Sequence, residues 1–176
     1  KVIKLRVVRL AAALALAGVL TACAPLIFGG AVLGTGMVAT DRRTTGIQLE
    51  DEGIELRAAS RIRELATLGQ VSVTSYNRQV LLTGEVPGAA ERTAVGQAVA
   101  KVENVRAVVN ELVVAPNSPF SSRSADGVLS TKVKATLVDA KDVQANAFKV
   151  VCERRVIYLL GRVTEREALR GAELAS

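Results

Sequence analysis

The chain repeats itself. At an offset of 77 residues, Val80-Leu-Leu-Thr-Gly-Glu-Val86 falls on Ile157-Tyr-Leu-Leu-Gly-Arg-Val163, and Val71 and Val73 fall on Phe148 and Val150. A fold for this sequence is therefore one small unit built twice, and any function must be one that two such units can carry.

In the first copy Ile54, Ala58, Ile62, Leu65 and Ala66 recur at helical spacing, with Arg57, Arg61, Arg63 and Glu64 off that stripe. The helix ends near Gly69. Two β-rich runs, Val71-Ser-Val-Thr-Ser and Gln79-Val-Leu-Leu-Thr, flank Tyr76-Asn77-Arg78 and read as a hairpin. Pro87-Gly88 breaks the strand pattern. A second helical stripe follows at Ala94, Val95, Ala98, Val99, Val102 and Val105, and Ala107 to Val114 reads as a third strand, so the order is α-β-β-α-β.

Residues 116–123, rich in Ser, Pro and Asn, read as a linker. The second copy opens on a helix with Leu129, Val133, Leu137 and Ala140 on one face, extending to Lys141. Its hairpin runs from Phe148-Lys-Val-Val-Cys152 to Val156-Ile-Tyr-Leu-Leu160, and Thr164 to Glu167 has capping-box spacing. By the offset, Ser176 corresponds to Val99, so the second unit is expected to be incomplete, its last strand missing.

The core must be assembled from Val, Leu, Ile and Ala, since aromatics are 3% of the chain and Trp is absent. Histidine is absent too, which removes His-dependent triads and most zinc and haem chemistry. Two cysteines make neither a zinc site nor a disulfide framework. An enzyme is not the expected reading, and neither a metal nor a dissociable cofactor is expected.

The net charge of +6 points to an anionic partner until its placement is considered. Lys1, Lys4, Arg6 and Arg9 precede the uncharged run Leu10 to Leu20, which has the length of a secretory signal's apolar core, and the run ends in Leu20-Thr-Ala-Cys23. That ending resembles a bacterial lipobox, where cleavage leaves an acylated Cys23. Without residues 1–22 the charge falls to +2, and the expectation is that no nucleic acid is bound. Two other readings stand beside it: an uncleaved membrane helix, since the apolar character continues to Leu33, and ordinary secretion with Cys23 a free thiol. Residues 23–45, with Gly29, Gly30, Gly34 and Gly36, read as a tether ending at Asp41-Arg42-Arg43.

Both copies, over residues 46–115 and 124–176, resemble the BON domain, a small α/β module of bacterial envelope proteins. The resemblance includes the glycine after each second strand, Gly84 and Gly161, and implies an α+β fold: two tandem units of α-β-β-α-β order, each a small mixed sheet with two helices on one face. Signal, lipobox, Gly-rich tether and paired units together resemble the dual-BON outer-membrane lipoproteins. Three segments carry the likeness: Ala39-Thr-Asp41 with Arg43, Asp51 to Arg57, and Gly161 to Ala168. A soluble periplasmic cousin shares the modules without the acylated Cys.

The resemblance implies a non-catalytic protein on the periplasmic face of the outer membrane, with diacylglycerol and an N-acyl chain on Cys23, that helps preserve envelope integrity. It implies binding of anionic phospholipids, phosphatidylglycerol and cardiolipin, through the first helix of the second unit, and gathering at division sites. On that helix Val138 falls opposite the core stripe, flanked by Lys134 and Lys141, with Val128 and Lys132 on a neighbouring edge. An outward apolar side chain between lysines suits a headgroup boundary, each lysine there contributing about 1 kcal/mol toward anionic lipid. Val128 stands where relatives tend to carry an aromatic. The alternative is an ordinary solvated face on a lipid-tethered scaffold whose partners are envelope proteins. The second unit carries 9 basic and 7 acidic side chains against 7 and 9 in the first, which favours the second as the unit that meets an anionic surface.

Gly84 and Gly161 read as structural, supplying an unusual backbone angle or close packing. Cys152, alternating with Phe148 and Val150, reads as a buried small hydrophobe. Glu50-Asp51-Glu52 with Glu55 reads as a solvated helix start.

Overall fold

The computed structural model describes residues 41–65 and 67–176. The signal, Cys23 and most of the tether lie outside the described residues. The first unit opens with α1 (Thr45–Glu64), whose N-cap Thr44 accepts the Ile47 N–H at 3.3 Å. Its inward stripe is Asp51, Ile54, Ala58 and Ile62. β1 (Gln70–Tyr76) and β2 (Gln79–Val86) pair antiparallel with Tyr76 opposite Gln79, leaving Asn77 and Arg78 as a two-residue turn. Both have positive φ, 51° and 65°, as a type I′ hairpin turn demands.

After α2 (Ala89–Ala100) the chain returns parallel to β2 as β3 (Ala107–Asn110) and β4 (Val113–Val114). The single strand expected over Ala107 to Val114 is interrupted because the Asn110 side chain turns back to accept the Leu112 N–H at 3.2 Å. The sheet is mixed, and its inner face presents Val80, Leu82 and Val86 to Ile54, Ala58, Ile62, Val95 and Val99. Each of these Val, Leu and Ile side chains contributes about 1.5–3 kcal/mol when fully buried.

The second unit repeats the plan. α3 (Phe120–Asp139) is followed by a short 3-10 turn, β5 (Phe148–Glu153), β6 (Val156–Gly161) and α4 (Glu165–Ala175). The β5–β6 turn is again two residues of positive φ, Arg154 at 50° and Arg155 at 63°. The expected Thr164–Glu167 capping box is present. α3 begins at Phe120, inside the stretch expected to be linker, and Ala140 ends it in an extended conformation, so Lys141 lies past the helix rather than on it. Among the described residues the second sheet has two strands, packed around Val133, Leu137, Val143, Ala147 and Phe148.

Gly84 and Gly161 face the first strand of their respective hairpins, opposite Val71 and Phe148. At Gly84 φ is 111°, and a Cβ would run into the Gln70 carbonyl oxygen. At Gly161 a Cβ would stand 2.7 Å from the Ala147 carbonyl oxygen.

The two units meet back to back. β2 is buried on both faces, and Leu81, Thr83 and Glu85 turn away from the helices toward the second hairpin. Arg154 reaches Glu85 at 2.9 Å, Lys149 reaches Glu55 at 2.7 Å, and the Tyr76 hydroxyl donates to the Ala147 carbonyl at 3.3 Å while accepting the Arg162 N–H.

Candidate functional site

The outer face of α3 is built by what the inner face buries. Asp126, Val133 and Leu137 point into the second unit, which turns Val128 and Val138 to water, 57% and 62% exposed. Lys132 and Lys134 are exposed on the same helix, and Lys141 is exposed just beyond it. Of the nearby acids, Asp139 is exposed, whereas Asp142 is held by Arg170 at 2.8 Å, which reduces its opposition to the lysines. The Thr131 and Thr136 hydroxyls donate back to the Gly127 and Lys132 carbonyls, so they do not add free donors to this surface.

Asp126 fixes the helix against the hairpin. Its carboxylate accepts the Arg154 and Arg155 N–H groups, each at 2.9 Å, and meets the Cys152 sulfur at 3.7 Å. Cys152 is half-buried rather than buried, and burial first, then the Asp126 carboxylate, push its thiol up to about 11, which keeps it protonated and unreactive.

The first unit has the same device. Asp51 is 2% exposed and accepts from the Asn77 N–H, the Arg78 N–H and the Ser75 hydroxyl, each at 2.7 Å. The expectation of a solvated acidic cluster fails here: Asp51 is buried, Glu55 accepts the Ser75 N–H at 2.8 Å, and Glu50 is bound by Arg57 and Asn104. Burial pushes the Asp51 carboxyl up, but the hydrogen bonds from Arg78, Ser75, Asn77 and Arg43 outweigh it and hold it below the usual carboxylate range. The sequence carried one signal for this pair. An acid precedes each equivalent turn by about two dozen residues or a little more, within the helix before it.

The end of the tether is sewn to both units. Arg43 lies 4.0 Å from the centroid of the Tyr76 ring and bridges Asp41 and Asp51, while Arg42 bonds Glu167 and the Arg162 carbonyl of the second unit. Arg43 belongs to one of the segments that carry the family resemblance, whereas nothing local in the sequence marks Arg42 as a partner of the second unit.

The BON-domain model matches residues 51–116 and 125–175, beginning at or beside the two hairpin-locking aspartates. The chain belongs to the BON-domain family. Outer membrane lipoprotein DolP of Haemophilus influenzae is 36% identical over 160 residues, covering 89% of this chain and 82% of that protein. A 21 kDa hemolysin of Actinobacillus pleuropneumoniae is 29% identical over 138 residues, covering 77% and 71%. The protein is a BON-domain lipoprotein of the outer membrane, and its BON units are non-catalytic. Among the described residues no helix is long and apolar enough to cross a membrane.

Proposed function

We propose that the protein binds anionic phospholipid, phosphatidylglycerol and cardiolipin, through the outer face of its second BON unit while acylated Cys23 holds it to the periplasmic face of the outer membrane. The observation that carries the reading is the pair of outward valines on α3, Val128 and Val138, with Lys132, Lys134 and Lys141 beside them. Two or more acyl chains already anchor the protein stably, so this surface sets orientation and lipid neighbourhood rather than attachment. Preservation of envelope integrity and gathering at division sites follow from that choice of neighbourhood.

Flotation of a fragment of residues 41–176 with vesicles tests the lipid preference. It floats with phosphatidylglycerol or cardiolipin vesicles and not with phosphatidylcholine alone, and Lys134→Glu combined with Val138→Asp removes the difference. Equal flotation on both vesicle types refutes the reading and leaves the protein-scaffold alternative. For the anchor, Cys23→Ser loses membrane retention, and acyl label kept by that variant refutes acylation at Cys23.

A further inference from the structure

We propose that Phe120 is the insertion point of α3, the side chain that enters an anionic bilayer at the helix's N-terminal end. This rests on the lipid-binding reading of α3 and adds to it the residue that sets depth and tilt. Phe120 is 76% exposed. It is the one exposed aromatic among the described residues: Tyr76 and Phe148 are buried, and Tyr158 is half-buried.

Its place on the helix is what gives it a use. Residues 120 and 138 are about five turns apart, so Phe120 and Val138 share an azimuth, separated by about 27 Å along the axis. Val128 lies between them, about 80° round. A helix with apolar side chains at both ends of one face, and in its middle, lies flat in a headgroup layer rather than dipping one end.

The ring is also held up to solvent. The Arg123 guanidinium sits 5.9 Å from its centroid and is tied down by the Ser118 carbonyl at 3.0 Å and by the Gln70 side-chain oxygen. A tethered cation beside an outward ring suits a phosphate above an acyl layer, the ring going down and the charge staying at the headgroups. Arg123, Lys132 and Lys134 outnumber the exposed Asp139 on the helix, whereas Asp126 points inward and is bonded to the β5–β6 turn. The complement to that surface is an anionic bilayer.

The absence of Trp makes the test direct, since each introduced Trp is the only one in the chain. Phe120→Trp, Val138→Trp and, as a control on the exposed face of α1, Leu56→Trp are prepared as full chains in phosphatidylcholine vesicles with and without phosphatidylglycerol. With phosphatidylglycerol, Phe120→Trp emission shifts to the blue, is quenched by brominated acyl chains and loses its quenching by acrylamide, while Leu56→Trp stays open to acrylamide. If Val138→Trp is buried and Phe120→Trp behaves like Leu56→Trp, the inference is overturned and the lipid-binding reading stands. If neither α3 position responds, the lipid-binding reading falls and the inference with it. Equal burial of Phe120→Trp in both vesicle types overturns the assignment to an anionic surface.

Discussion

Arg42 grips Glu167 with both terminal guanidinium nitrogens, at 2.6 and 2.8 Å, joining the segment before the first BON unit to α4 of the second. The bidentate geometry fixes direction as well as distance. Glu167 also accepts the Thr164 N–H and hydroxyl, and these bonds, the Arg42 bond first among them, hold its carboxyl down at about 2. The pair therefore contributes at any pH above the ordinary glutamate range and is lost as the pH falls toward 2. In Arg42→Ala the Glu167 carboxyl titrates closer to its ordinary value, read by NMR, and the peptide bonds near Arg43 become open to protease sooner. An unchanged Glu167 titration means that the Thr164 cap alone sets it.

The two aspartate locks predict an unequal pair of mutants. Asp51 holds two turn N–H groups, a hydroxyl and an arginine, whereas Asp126 holds two N–H groups and a weakly donating thiol. Each also secures turn residues in the left-handed region, which costs a non-glycine residue roughly 1 kcal/mol. Asp51→Asn costs about 3 kcal/mol and Asp126→Asn about 2 kcal/mol in chemical denaturation. An equal or reversed order means that the Arg43 bridge adds nothing.

Glu85 makes the contact between the units sensitive to its partners. It is 1% exposed, with one oxygen held by Arg154 and Ser118 and the other, Oε2, buried without a hydrogen bond. Arg154→Ala leaves that carboxylate buried with one fewer partner and costs about 2 kcal/mol, discounted because Arg154 is partly exposed. Adding Glu85→Gln recovers more than half of the loss, measured as a double-mutant cycle. A double mutant as unstable as the additive sum would separate the two residues energetically.

What the sequence disclosed was what local pattern can disclose. The hairpins, the Thr164–Glu167 cap and the inward stripes of α1 and α3 depend on residues within a few positions of one another, and the 77-residue repeat brought the two sets into register. Asp51 looked like part of a solvated acidic run because the turn it locks lies on another element. The Ser and Pro content before Arg123 hid the first turns of α3, which are held by tertiary contacts of Arg123 with Gln70 and Ser118 rather than by a side-chain cap. The apolar stripe put Val128 and Val138 on the exposed side of α3, but it carried the helix on to Lys141 and began too late to include Phe120.

Glu153 is the group whose titration should be visible in stability. It sits between the units, and burial, then Glu85, then Asp126 raise its carboxyl above the ordinary range, only partly offset by a bond from Thr83. A carboxyl with a raised folded-state pKa binds its proton more tightly folded than unfolded, so its ionisation destabilises the protein as the pH rises through that range. Glu153→Gln keeps the shape and removes the charge. The variant melts higher than the parent at pH 7, and the gain shrinks to nothing once the pH is below the ordinary glutamate value, where the parent carboxyl is protonated in both states. Thermal melts from acid to neutral pH read this as two curves that diverge upward with pH. A constant separation would place the cause in packing rather than in charge.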